Sequence, residues 1–128
     1  MTGPVLTASQ RSALQTQLRA ERSRLARQRD ALERTFAALV EGADVEPADD
    51  EHDPDGTTAY ERAQVASLAA LATARLAELD AALARVTSED FGLCQHCDQP
   101  IGLARLEAVL GTRHCVRCAA AGARRLGR

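Results

Sequence analysis

The sequence contains very few aromatic residues and no lysine. Phe, Tyr and Trp together make up 2% of the 128 residues, and Trp is absent. A thick globular core normally includes several large rings, so this composition argues against a compact α/β enzyme. Alanine and leucine supply most of the apolar residues, which make up 45% of the chain, and this mixture favours helices. All 16 basic residues are arginine.

Long apolar runs are also missing. No stretch approaches the roughly 20 uncharged apolar residues that a membrane-spanning helix requires, so we expect no membrane segment. Residues 1–5 lack the basic start and the apolar run of a secretory signal peptide. We therefore expect a cytoplasmic protein.

The charged residues are strongly segregated along the chain. Residues 43–61 carry eight acidic residues and no basic one, whereas residues 91–128 carry six arginines and two acidic residues. Residues 1–42 have a net charge of +3 and residues 62–90 have −1, so the whole chain sums to −2. Such asymmetry predicts interaction with partners of matching charge, although an acidic run by itself is typical of a solvated turn.

The first half of the chain has the pattern of one long helix over residues 7–42. Thr7 and Gln10 fit a capping box, in which each side chain bonds the backbone amide of the other residue. Leucines then recur every seven residues, which is the apolar spacing of a coiled coil. The predicted seam consists of Leu14, Leu18, Leu25, Leu32, Phe36 and Leu39.

A second long helix is predicted over residues 58–88, after an acidic tip at residues 43–57. Thr58 and Glu61 offer another capping box, and Gly92 fits a C-terminal cap. Its apolar seam again alternates by three and four residues: Val65, Ala69, Ala72, Leu76, Leu79, Leu83 and Val86. Two helices of similar length with a short connection predict a mainly α fold built on a long antiparallel coiled-coil hairpin.

Four cysteines lie in two Cys-x-x-Cys pairs, Cys94 with Cys97 and Cys115 with Cys118. This spacing is typical of one tetrahedral zinc with four thiolate ligands, while two disulfides or four unrelated thiols remain the alternative. Four protein ligands leave no position for a catalytic water, so the zinc would be structural. We predict a hairpin domain at 1–90 and a zinc-finger head at 91–128, with helices from Leu103 to Ala108 and from about Val116 to Leu126.

The stretch Ser88–Cys94, together with Cys97, Ile101, the Arg105–Ala108 run and the second cysteine pair, resembles the DksA/TraR zinc-finger family. The resemblance implies a transcription regulator that binds bacterial RNA polymerase. In this family the hairpin enters the secondary channel, by which nucleotides reach the active site. The acidic tip then approaches the catalytic centre and modulates initiation, while the zinc head stays near the rim of the channel.

The resemblance also implies functional residues in the tip. An ungapped count from Cys94 puts Glu51, Pro54 and Gly56 at the family's tip positions. A shift of one residue instead puts acidic side chains at all three, namely Asp50, Asp53 and Asp55. The family's alarmone contacts fall here on Glu78, Val109 and Ala119. These three side chains lack basic charge, so binding of guanosine tetraphosphate is left open.

Two other classes of function remain alternatives. The positive head suits phosphate contacts, which would make the protein a nucleic-acid-binding zinc module. We nevertheless do not expect direct DNA binding, because Arg105, Arg113 and Arg117 can equally contact the polymerase. A structural coiled-coil adaptor is the third class, although a hairpin that covers its own seam is expected to be monomeric. No set of nucleophile, histidine and carboxylate and no phosphate-binding glycine loop is present, so we predict that the protein is not an enzyme.

Overall fold

The computed structural model describes the backbone over residues 5–45 and 54–126, and the side chains over residues 5–42 and 57–122. Four helices follow in order: α1 at Ala8–Val45, α2 at Pro54–Arg85, α3 at Leu103–Ala108 and α4 at Val116–Leu126. Within the described ranges, β-structure is limited to one isolated antiparallel bridge between Leu93 and Pro100. The mainly α fold, with two long helices packed together and a four-cysteine cluster, is confirmed.

The start of α1 has the predicted capping box. The backbone amide of Thr7 donates to Gln10 Oε1 at 2.9 Å, and the amide of Gln10 donates to Thr7 Oγ1 at 3.0 Å. These two bonds satisfy amides that have no partner inside the helix. The helix continues to Val45, slightly beyond the predicted end at residue 42, because Gly42 lies within it.

The predicted bounds of α2 are shifted toward the N-terminus. The helix begins at Pro54, so Thr58 and Glu61 lie inside it and the second predicted capping box is wrong. Proline is well suited to the first helical position, because its missing amide hydrogen would have no helical partner there. The helix ends at Arg85, and the amide of Ser88 then donates to the Arg85 carbonyl at 2.8 Å in the following turn.

Gly92 is not the C-terminal cap that the sequence predicted. It follows the turns after α2 and has a φ angle of +103°, which strongly favours glycine. Its carbonyl accepts a hydrogen bond from the Ile101 amide at 2.8 Å, at the entry to the zinc-finger head. A Cβ atom at this position would lie 3.3 Å from a methyl carbon of Val5. Gly92 therefore allows the close approach of the N-terminal segment.

The described chain divides into two compact units. One unit contains the residues up to Arg22 and those from Glu78 onward, and the other is Ser23–Ala77. In the first unit, Arg11 bonds the end of α2 while Arg22 pairs with Asp80, so the two helices run antiparallel there. The predicted division into domains 1–90 and 91–128 stays a prediction.

The predicted apolar seams are buried in the first unit. Leu18, Leu79 and Val86 have almost no exposed surface, and Ala82, which lies outside the predicted heptad, is also fully buried. An alanine at this position allows close contact, because a larger side chain would separate the packed segments.

In the second unit, the described side chains bury their apolar surface unevenly. Leu25, Ala72 and Leu76 are buried, whereas Phe36 is exposed to 36%. Leu68 and Leu71, which lie off the predicted seam, are exposed to 47% and 67%. Among the helices that the structure describes, none combines the length with the hydropathy of a membrane span.

Arg11 makes a long-range contact that the sequence pattern does not predict. Its Nη1 atom donates to the carbonyl of Val86 at 2.6 Å and to the carbonyl of Ser88 at 2.5 Å. Carbonyl groups at a helix C-terminus lack partners within the helix and carry partial negative charge. One guanidinium group thus satisfies two acceptors just after α2 and joins that turn to the start of α1.

We expect Arg11→Met to lower the free energy of unfolding by about 1–3 kcal/mol, because two partly buried carbonyls lose a charged donor. Arg19→Met is the matched control, since Arg19 is an exposed arginine on the same helix. Denaturant unfolding of both variants measures the difference. Equal stability of the two variants would contradict a capping role for Arg11.

Candidate metal centre

The first cysteine pair lies on a tight loop between the two residues of the isolated bridge, Leu93 and Pro100. The amide of Cys94 donates to the carbonyl of Gln99 at 2.8 Å, and the amide of Asp98 donates to the carbonyl of Cys94 at 2.9 Å. Asp98 has a φ angle of 62°, a left-handed conformation that aspartate tolerates better than most residues. These bonds close the loop and turn both sulfur atoms to the same side.

The second cysteine pair lies at the start of α4. Cys115 directly precedes the helix, Cys118 lies in its first turn, and the amide of Ala119 donates to the Cys115 carbonyl at 2.9 Å. The N-terminus of a helix presents free amide groups and partial positive charge, which favour the thiolate form of a nearby cysteine. The helix start therefore provides two ligand positions, and the Cys118 backbone amide there lowers the pKa of the Cys115 thiol.

The four sulfur atoms meet in one cluster. The ligand atoms of Cys94, Cys97, Cys115 and Cys118 all lie within 4.8 Å of one another, and the Cys97 and Cys115 sulfurs are 3.9 Å apart. Ligands at about 2.3 Å in a tetrahedron are separated by about 3.8 Å, so the cluster matches the size of a zinc site. All four cysteines are free, which excludes the two-disulfide alternative in this structure.

The surroundings of the cluster shift the pKa values of the thiols in opposite directions. Burial alone would raise the pKa of the Cys94 thiol, but backbone amides of Cys115, Cys97 and His96 lower its pKa to about 6. The His96 amide donates to the Cys94 sulfur at 3.4 Å. Burial and hydrogen bonds to the other sulfurs raise the pKa of the Cys118 thiol to about 12. Zinc needs all four sulfurs as thiolates, so binding would displace each proton that these thiols still hold.

Four protein ligands make this a closed site. Zinc would take all four sulfurs, and a closed site has no open position at which water or substrate could be activated. The chemistry that zinc supplies here is crosslinking of two loops, which contributes directly to folding. Cys94 also belongs to a buried cluster that joins the head to the start of α1, together with Leu6, Leu14, Ile101 and Leu106.

The predicted tip residues lie at the edge of the described chain. Asp50 and Asp53 fall outside the described residues. Asp55 is the second residue of α2, and its side chain is outside the described set. The role of these three residues stays a prediction.

The three head arginines differ in their surroundings. Arg105 Nε donates to the carbonyl of His114 at 2.9 Å, so its guanidinium group holds the segment that leads into the second cysteine pair. Arg113 and Arg117 are exposed, and the Arg113 carbonyl accepts a hydrogen bond from the Gln95 amide at 2.9 Å. Partner binding by all three stays a prediction. The contacts of Arg11 and Arg105 were missed from the sequence, because both depend on carbonyl groups that only the fold brings near.

We expect elemental analysis to find one zinc per chain, and Cys97→Ser to lose zinc and to lower the melting temperature, because zinc binding contributes to folding. His96→Ser is the matched control, since it changes an exposed neighbour in the same loop. Full zinc content and an unchanged melting curve in Cys97→Ser would contradict the assignment of Cys97 as a ligand.

Comparison with known proteins identifies the head. The prokaryotic dksA/traR C4-type zinc finger matches residues 89–121, which include all four cysteines. With the sulfur cluster, this match confirms one structural zinc. An uncharacterized protein of Aquifex aeolicus (strain VF5) is 33% identical over 64 residues, which cover 50% of this chain and 44% of that protein. The chain therefore spans less than half the length of this curated relative.

The fold is similar to that of a solved transcription factor. The structure of DksA2 from Pseudomonas aeruginosa matches with a TM-score of 0.79 at 21% sequence identity, over 94% of this chain and 88% of that chain. The match extends the similarity from the head to both long helices. The resemblance carried by the cysteine motifs is therefore confirmed for the head, since residues 89–121 match the DksA/TraR C4-type zinc finger, and the fold of the chain is similar to that of DksA2.

Proposed function

We propose that the protein is a transcription regulator that binds bacterial RNA polymerase through its secondary channel. The observation that carries this proposal is a DksA/TraR-type zinc finger within a chain whose fold matches DksA2 over nearly its full length. The protein acts as a monomer in the cytoplasm, and it regulates by contact rather than by catalysis. The closed four-cysteine site is consistent with this, since it has no position for a reacting molecule.

We propose that anchoring and action reside in different parts of the chain. Residues 91–128 carry a net charge of +4 and include the exposed Arg113 and Arg117, which suit an acidic or phosphate-rich rim. Residues 43–61 carry a net charge of −8 and include Asp50, Asp53 and Asp55. Carboxylates in that number can alter the position of a bound Mg²⁺ ion or of a mobile basic element at the polymerase active centre.

Direct nucleic-acid binding remains the second candidate function, and the positive charge of the head favours it. Proteins that bind single-stranded nucleic acid also use aromatic rings on which the bases stack. Phe91 is the only Phe, Tyr or Trp residue of the head, and only 6% of its surface is exposed. Binding by the head would therefore rest on phosphate contacts alone.

We expect the purified protein to show weak binding to DNA that disappears as salt is raised toward physiological concentration, because surface phosphate contacts release counterions. Fluorescence anisotropy with a labelled duplex at several salt concentrations measures this. Tight binding that persists at about 0.15 M salt would favour the nucleic-acid module over the polymerase regulator.

The function of the tip is tested by replacing Asp50, Asp53 and Asp55 together with asparagine. This change keeps side-chain size and removes three negative charges. We expect the variant to co-purify with core RNA polymerase as the parent protein does, and to lose its effect on transcription initiation in a purified assay.

The matched control changes three acidic residues of α1, Asp30→Asn, Glu33→Gln and Glu41→Gln, which alters net charge by the same amount outside the predicted tip. We expect this control to keep its effect on initiation. Full regulation by the triple asparagine variant would show that the tip is only a solvated turn. Failure of the parent protein to bind the polymerase would overturn the proposed function itself.

A further inference from the structure

One segment of α2 has an exposed surface without charged side chains. None of the residues 63–74 is charged, although the segment spans about three helical turns. The exposed residues of this segment are Ala63, Gln64, Ala66, Ser67, Leu68, Ala70, Leu71, Thr73 and Ala74. Over an equal length of α1 in the same compact unit, residues 23–34, six residues are charged. A helix that faces water normally has charged side chains on its outer side, so the α2 segment is unusual.

Large apolar side chains lie in a row on and next to this surface. Tyr60 and Leu71 are exposed to 69% and 67%, and Leu68 is exposed to 47%. The row is spaced by four, four and three residues, so it follows one side of the helix: Tyr60, Gln64, Leu68 and Leu71. We call these four residues the outer stripe of α2. Exposed apolar residues that occur singly are normal, whereas a continuous row of them indicates an interaction surface.

The seam between the two long helices does not cover the outer stripe. The buried and half-buried apolar residues of the same segment form a different row: Val65, Ala69, Ala72 and Leu76. Leu68 and Leu71 each precede a seam residue by one position, which turns them about 100° away from it around the helix. Apolar residues on more than one side are typical of a helix that is covered on more than one side. In the described part of this segment, only the seam side is buried.

The size of the surface decides between a second copy of the chain and a larger partner. Twelve helical residues are about 18 Å long and a helix is about 10 Å wide, so one side offers roughly 200 Å². A stable, specific interface needs about 800 Å² from each partner. The outer stripe is therefore too small to hold a dimer together by itself, and it suits one part of a larger interface.

The composition of the surface indicates the chemistry of the partner. Arginine and lysine side chains bind the phosphate groups of nucleic acids and of anionic lipids, and residues 63–74 include neither. A charged partner surface packed against this segment would lose water without gaining an opposite charge, which costs free energy. The outer stripe therefore matches an uncharged, apolar protein surface.

We propose that the outer stripe packs against an uncharged, apolar surface of RNA polymerase. This inference rests on the proposed function, in which the hairpin enters the secondary channel, and it adds which side of the hairpin touches the wall. The uncharged side of α2 faces the wall, whereas the exposed Arg27 and Arg34 of α1 face water or polar groups. The head supplies further interface area.

The proposal is tested with the full, zinc-loaded chain and core RNA polymerase. Leu68 and Leu71 are replaced together by glutamine, which has nearly the same helix propensity as leucine but presents a polar group. Both side chains are exposed, so we expect an unchanged melting temperature and unchanged zinc content. We expect the affinity for the polymerase, measured by titration of protein labelled at its N-terminus, to fall about tenfold or more.

Two matched controls separate apolar contact from other effects. Leu68→Met with Leu71→Met keeps the surface apolar, and we expect it to keep most of the parent affinity. Arg27→Gln with Arg34→Gln changes two exposed side chains of α1 in the same compact unit, and we expect it to leave the affinity nearly unchanged. Sedimentation of the free protein tests a second copy as the occupant, and we expect a monomer.

The outcomes separate this proposal from the proposed function. Weaker binding by the glutamine variant, with near-parental binding by both controls, supports the proposal. Parental affinity of the glutamine variant would overturn it and leave the proposed function intact. An equal loss of affinity in the α1 variant would also overturn it, as would a dimer of the free parent that the glutamine variant dissociates. Failure of the parent protein to bind the polymerase would overturn the proposed function, and this proposal with it.

Discussion

The convergence of four cysteine sulfurs is the constraint on which the rest of the head depends. The head otherwise contains a six-residue helix, an eleven-residue helix and one isolated bridge. Elements this short bury too little apolar surface to be stable alone, so zinc supplies folding energy that the core lacks. The buried contact of Cys94 with Leu6 and Leu14 extends this dependence to the start of α1.

Arginine makes all the structural contacts that lysine and arginine share in most proteins, because the chain has no lysine. Arg11 bonds two carbonyls after α2, Arg105 bonds the carbonyl before Cys115, and Arg22 pairs with Asp80 through two of its nitrogens. Only the Arg22 contact uses the planar fork that a lysine ammonium lacks, because Arg11 and Arg105 each donate through a single nitrogen. The absence of lysine is therefore compatible with this fold.

Features that depend on local spacing could be predicted from the sequence, and features that depend on tertiary contact could not. The heptad leucines, the Thr7 capping box and the paired cysteines each involve residues a few positions apart, where helix and loop geometry determine the outcome. The capping pattern at Thr58 predicts too late a start for α2, because Pro54 is the first helical residue, a position that suits proline. Gly92 was predicted as the C-terminal cap of α2, whereas it lies beyond that helix at the entry to the zinc-finger head.

The metal site was recoverable from spacing alone, but its surroundings were not. The contact of Arg11 joins residues 75 and 77 positions apart, and no local pattern marks it. Arg85 and Arg113, which line one cleft, are likewise brought together only when the head packs on the end of α2. Long-range polar contacts of this kind depend on the fold as a whole, which is why they escape a reading of the sequence.

The packing of Leu6 and Leu14 against Cys94, Ile101 and Leu106 has a consequence for synthesis of the chain. Leu6 and Leu14 have partners that are translated about ninety positions later. The start of α1 therefore lacks its native core until that part of the chain has been made, and such non-local contacts slow folding. Until the second cysteine pair has been translated and can complete the zinc site, Leu6 and Leu14 thus lack the surface that buries them.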